Sequence, residues 1–96
     1  QNCLILGAGG AARAVAFGLA ETFNCKKMTF INRTLHKAQV LAADLQRFYQ
    51  GAFTVQNAEE LRQKGRRFDL IVNTTALGMG LLSGLTALDV RPFAKP

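Results

Sequence analysis

NCLILGAGGAARA, residues 2–14, passes straight from a short apolar run into a cluster of glycine and alanine. Five apolar or small residues at 2–6 suit a strand buried on both faces, and the spacing that follows is G-x-G-x-x-A. Each small residue in that spacing answers a steric need. Gly7 makes the tight turn, Gly9 lets an anion approach the backbone, and Ala12 lets the next helix lie close on the strand. Free N–H groups at the first helical turn then face the anion. A glycine pattern of this kind is weak by itself, but here it has the required context. Residues 11–22 read as a helix with Ala14, Val15, Phe17, Gly18 and Leu19 as its packing surface, and residues 28–31 read as a second strand.

Outward from that unit, strand and helix keep alternating. Thr34 is a plausible N-cap for a helix over 35–49, whose Ala38, Leu41, Ala42, Leu45 and Phe48 fall at helical spacing. Gly51 ends it. A strand at 52–55 follows, then a polar helix at 58–64 capped by Asn57 and stopped by Gly65. The last clear strand is 68–72, FDLIV, which gives way abruptly to Asn73-Thr74-Thr75. Such alternation predicts an α/β fold, a doubly wound, Rossmann-like parallel sheet with strand order 3-2-1-4. Ligands bind such sheets beyond the carboxyl ends of the strands, where the order reverses. Three segments meet on that rim: Gly7, Ala8, Gly9, Gly10 and Ala11; Asn32, Arg33 and Thr34; Asn73, Thr74 and Thr75. No strand is legible in 85–96, so the sheet is expected to be truncated before its usual last strands. The whole of 1–96 is read as one incomplete nucleotide-binding domain, with no room for a separate substrate domain.

Composition narrows the partners. Twelve Lys and Arg against six Asp and Glu give a net charge of +6, which suits an anionic ligand. The basic residues are scattered and lack the interleaved aromatics that stack bases, so nucleic acid is not expected. No apolar run approaches the roughly 18 residues of a membrane span, and a soluble, cytoplasmic protein with no membrane partner is expected. Cys3 and Cys25 have no metal-ligand spacing and read as reduced thiols, Cys3 buried.

The second strand of a nucleotide-binding unit ordinarily ends in a carboxylate when the ribose carries a free 2′-hydroxyl. This chain has Asn32-Arg33-Thr34 there instead. A guanidinium can pair with a 2′-phosphate and lay its flat face on adenine, so the segment favours NADP over NAD. Arg13 can reach a pyrophosphate oxygen or pack its stem against a neighbouring loop. Lys37 adds long-range attraction or is simply solvated, and His36 stands too near the adenosine end to serve as a base. Lys64, Arg66 and Arg67 lie at the opposite edge of the sheet, as a solubilising face.

Taken together, Gly7 to Ala14, Asn32-Arg33-Thr34 and Asn73-Thr74-Thr75-Ala76-Leu77-Gly78-Met79 resemble the NADP-binding domain of shikimate and quinate/shikimate dehydrogenases. Glutamyl-tRNA reductases share the first two motifs, and the third separates the families. A non-catalytic regulator built on a dehydrogenase domain is the alternative of another class. The family pattern usually has Pro where this chain has Ala76. The resemblance implies reversible reduction of 3-dehydroshikimate to shikimate, on the route to aromatic amino acids, or oxidation of quinate. It places Gly9, Gly10 and Ala11 at the pyrophosphate, Asn32, Arg33 and Thr34 at the 2′-phosphate, 73–75 on the ribose side and Met79 toward the nicotinamide. The family's catalytic Lys and Asp belong to an amino-terminal substrate domain, so no catalytic residue is assigned here. That domain would supply the site for a shikimate or quinate substrate, and the residues do not indicate an oligomeric state.

Overall fold

The computed structural model describes residues 2–64 and 68–77. Four strands, β1 (Asn2–Leu6), β2 (Lys27–Ile31), β3 (Ala52–Val55) and β4 (Leu70–Asn73), form one sheet in the order β3-β2-β1-β4. All three pairings are parallel. The connections are α1 (Gly10–Phe23), α2 (Leu35–Phe48) and α3 (Ala58–Lys64), and β4 runs into a 3₁₀ turn, Thr74–Leu77. The expected doubly wound parallel sheet is therefore present. The region beyond residue 77, where further strands were sought, lies outside the described residues.

Why the helices divide between the faces follows from the order of the strands. From β1 to β2 to β3 the chain steps one way along the sheet, so right-handed crossovers lay α1 and α2 on the same face. The step from β3 back past β1 to β4 runs the other way, and α3 lands on the opposite face. The cores record this. Cys3, Ile5, Met28, Phe30 and Phe53 pack with Ala12, Ala16 and Ala20 of α1 and Ala38, Leu41, Ala42 and Leu45 of α2. Leu4, Leu6 and Ile31, the alternate residues, pack with Leu61 of α3 and with Phe68. Between β2 and β3, the facing pair Thr29 and Thr54 joins hydroxyls at 3.2 Å.

The apolar face of α1 differs from the expected one. Ala12, Ala16 and Ala20 are its buried residues, whereas Ala14 is exposed and Val15, Phe17, Gly18 and Leu19 are only partly covered. The glycine turn sets the phase, because it brings Ala12 directly against the end of β1. A stripe of methyl groups at i, i+4 and i+8 then lets the helix axis sit close to the sheet. Phe17 covers the flank instead, edge-on to Phe48 and Tyr49 at 6.1 and 5.9 Å between ring centroids. Phe48, expected in the core, is mostly exposed.

The strand expected at 68–72 begins two residues later. Asp69 donates its N–H to the Asn2 carbonyl at 2.8 Å and accepts the Asn2 N–H on its carboxylate at 2.8 Å. This closes the ladder locally and leaves Phe68 free to fill the α3 side of the core. Asn57 caps α3 as expected: its Oδ1 accepts the Glu60 N–H at 2.7 Å, and Glu60 Oε1 accepts the Asn57 N–H at 3.3 Å.

Phe30 is fully buried at the centre of the larger core. Phe30→Ala should cost about 3–5 kcal/mol, a large share of the stability of a domain this small, read as a fall in the urea midpoint.

Candidate functional site

The carboxyl end of the sheet is tied together by two short hydrogen bonds. Gly7 donates its N–H to the Ile31 carbonyl at 2.7 Å, carrying β1 to the end of β2. Thr74 donates its hydroxyl to the Leu6 carbonyl at 2.6 Å, tying β1 to the segment after β4. Gly7 itself has φ of +115°, a conformation for residues without a Cβ. The space a Cβ would take there is held by Thr74 Oγ1. The positions are mutually fitted: glycine permits the turn, and the threonine hydroxyl fills the gap it leaves.

Beyond this knot a cleft of about 610 Å³ opens, within the size of small-molecule sites. Its lining comprises residues 7–12 of the glycine turn, Asn32, Arg33, Thr34 and Lys37 from the β2–α2 junction, and Thr74 and Thr75 beyond β4. The three segments expected on one rim are thus brought to one cavity. Helix α1 starts at Gly10 with Gly9 as N-cap, carries no side-chain cap and has no acidic residue in its first turn. The first intrahelical bond at this end runs from the Arg13 N–H to the Gly9 carbonyl at 3.0 Å. The amides before it point out of the helix end, and the positive end of the macrodipole is uncompensated by side chains. A Cβ at Gly9 or Gly10 would meet nothing within 4 Å, so space exists in front of these amides.

At the second segment, Asn32 Nδ2 donates to the Thr34 carbonyl at 2.9 Å and fixes the bend between β2 and α2. Thr34 is the N-cap of α2 by position, but its side chain makes no capping hydrogen bond. Arg33, Thr34 and Lys37 are exposed along the cleft. Lys37 is in the first turn of α2, and helical side chains lean toward the N-terminus, which returns its amine to the rim. That lean was the available signal for placing Lys37 in the site rather than in solvent.

Not every expected residue lines the cleft. Asn73 ends β4 beside Leu6, and its Oδ1 accepts the Thr75 N–H at 3.0 Å and the Thr75 hydroxyl, organising the 3₁₀ turn. Thr74 lines the cavity while its hydroxyl proton is committed to Leu6. Arg13 turns away. It pairs with Asp44 of α2 at 2.8 Å and lies over the Phe17 ring at 5.7 Å from the centroid, bracing the two helices. Met79, expected toward a nicotinamide, lies outside the described residues, as do Arg66 and Arg67.

A family model described as shikimate / quinate 5-dehydrogenase matches residues 1–83. Among similar curated proteins is a shikimate dehydrogenase (NADP(+)) of Methanocella arvoryzae, 44% identical over 80 residues, covering 83% of this chain and 28% of that protein. One of the same name from Salinibacter ruber is 43% identical over 77 residues, covering 79% and 27%. One from Methanocaldococcus jannaschii is 38% identical over 100 residues, covering 99% and 31%. The chain therefore spans somewhat over a quarter of the length of these relatives.

The knot and the cleft separate cleanly by mutation. Gly7→Ala should destabilise by about 2–4 kcal/mol through the forced φ and the clash with Thr74. Gly9→Ala, with ordinary φ and open space, should cost only the difference between glycine and alanine as an N-cap, about 1 kcal/mol in the same chemical denaturation.

Proposed function

The chain belongs to the shikimate / quinate dehydrogenase family, and on that premise we propose that these residues hold NADP for reversible reduction of 3-dehydroshikimate to shikimate. Quinate is the alternative substrate within the same chemistry. The observation that carries the reading is the company Arg33 keeps. It shares one cleft with the uncapped start of α1 and with Thr34 and Lys37. Relatives whose names specify NADP(+) support the choice of dinucleotide.

The residues fit such a cofactor by shape and charge. Gly9, Gly10 and Ala11 would meet the pyrophosphate, where the absent side chains leave room and the outward amides donate. Arg33, Thr34 and Lys37 would meet the 2′-phosphate, with two cations and a hydroxyl where NAD-specific sites place a carboxylate. Asn32 positions that segment through the Thr34 carbonyl. Thr75 and the turn that Asn73 organises would border the ribose, and Thr74 holds the glycine turn in place from behind. Met79 would stand toward the nicotinamide.

When bound, the cofactor would supply the hydride as NADPH in the reducing direction and accept it as NADP in the reverse. Transfer also needs the alcohol carbon held against the nicotinamide and a group that exchanges the hydroxyl proton. We assign both to parts of the enzyme outside these 96 residues, in keeping with relatives of which the matched segment is a little over a quarter. The 96 residues by themselves should bind NADP and produce no shikimate-dependent NADPH.

Arg33→Asp should weaken NADP binding by at least ~1.5 kcal/mol, roughly tenfold, in calorimetric titration, while NAD binding changes little. Equal NADP affinity in both proteins would remove the assignment.

A further inference from the structure

Behind the nucleotide cleft, at the amino-terminal end of the sheet, the two cysteines stand against each other. Cys3 Sγ and Cys25 Sγ are 3.0 Å apart, and both side chains are buried. Neither placement is accidental to the backbone. Cys3 is held in β1, paired in register with Met28. Cys25 follows the left-handed Asn24 (φ 54°) at the end of α1, and its N–H returns to the Leu19 carbonyl at 3.1 Å, which turns its side chain inward. Among the described residues no group of three or more His, Cys, Asp or Glu could hold a metal ion.

We infer that Cys3 and Cys25 are an oxidisable dithiol, converted by a hydroperoxide into a disulfide that joins the two ends of the β1–glycine turn–α1 unit. The sulfurs need to close by about 1 Å to reach the disulfide bond length of about 2.05 Å, a displacement within side-chain rotation. Cys25 meets the oxidant first by position. Its neighbours Asn24 and Lys26 are exposed at the end of a helix, where local opening is cheapest, whereas Cys3 lies inside the sheet. In the first step the Cys25 thiol gives up its proton, its sulfur takes one oxygen of hydrogen peroxide, the O–O bond breaks, and the departing hydroxide takes up that proton, leaving sulfenic acid and water. In the second, Cys3 sulfur attacks the sulfenic sulfur, the S–O bond breaks, and the departing hydroxide leaves as water with the Cys3 proton. Two thiols and one peroxide become one disulfide and two waters.

Burial governs the rate. It is the main cause that pushes the Cys3 thiol up to about 12, with the Cys25 sulfur beside it adding to the shift. Cys3 therefore stays protonated in the closed state, and the disulfide forms through opening at Cys25 rather than by direct attack on the core. Once made, it closes a ring over residues 3–25 that contains the whole anion cradle. The unfolded state loses freedom while Gly7, Gly9 and Gly10 at the opposite end keep their conformation.

Trypsin cuts after Arg13 and Lys26, so the cysteines fall in separate peptides, Cys3 in the one that ends at Arg13 and Cys25 in 14–26. The full-length protein is treated with hydrogen peroxide under native conditions, blocked with iodoacetamide and digested without reductant. The expected product is the two peptides joined, lighter than their sum by two hydrogens, together with a higher urea midpoint that dithiothreitol reverses. Recovery of the two peptides separately, alkylated or as sulfinic acids, would overturn the inference. So would an oxidised protein whose midpoint is unchanged or lower. Cys25→Ser must abolish both the joined peptide and the reversible rise, and a rise that survives the substitution also overturns it.

Discussion

The structure depends on Gly7. Its N–H reaches Ile31 while the carbonyl just before it receives Thr74, so one residue at φ of +115° joins the ends of β1, β2 and β4. Parallel strands have no hairpin to hold their ends in line, and each neighbour arrives by a separate crossover. The two hydrogen bonds do what a turn does in an antiparallel sheet: they level the three carboxyl ends at one height. The cleft exists because those ends are level. A side chain at Gly7 would push Thr74 outward and part β1 from β4 at the place where the chain reverses direction.

The two faces of the sheet are unequally furnished, and strand order accounts for it. Among the described residues one face has two 14-residue helices, the other the seven-residue α3. Leu70 and the partly covered Ile71 and Val72 are on β4, the edge strand among the described residues. The α1–α2 side is correspondingly richer in devices that hold helices together: the Arg13–Asp44 pair, the Phe17 cluster and the Tyr49 hydroxyl donating to Glu21 at 2.8 Å. The ion pair is partly exposed and contributes under about 1 kcal/mol, so the alanine stripe against Phe30 and Ile5 is the larger contribution.

Element order, parallel pairing and the meeting of three polar segments on one rim were legible in the sequence. Each rests on a short-range signal: an apolar run, a glycine at a fixed offset, a cap three residues before a glutamate. What was not legible depends on distant partners. Arg13 reads as a phosphate ligand or a packing stem until Asp44, 31 residues away, is placed opposite it. Asn73 and Thr74 read as rim polars, yet one organises the following turn and the other reaches back 68 residues to Leu6. The α1 face was misjudged because alanine carries little weight in a hydrophobic pattern, although close approach demands it. The sulfur contact between Cys3 and Cys25 has no signature at all in spacing, since it follows from where β1 and the end of α1 come together.

The three helix starts among the described residues contrast in a way that supports the proposed anion site. Helix α3 begins with a reciprocal Asn57–Glu60 cap and carries Glu59 and Glu60 in its first turn, which satisfies its orphan amides and offsets its dipole locally. Helices α1 and α2 have neither device: no side-chain cap and no acidic residue in the first turn. A helix end left in that state costs stability unless something outside it accepts the amides. Both of these ends open on the same cleft, which Arg33 and Lys37 also line. Thr34 illustrates the contrast most directly, because it stands at an N-cap, makes no capping hydrogen bond and lines the cleft. A pyrophosphate at α1 and a 2′-phosphate at α2 would satisfy both ends at once. A dinucleotide without the second phosphate would lack the contacts at the start of α2, and the preference for NADP proposed above is that difference in electrostatic free energy.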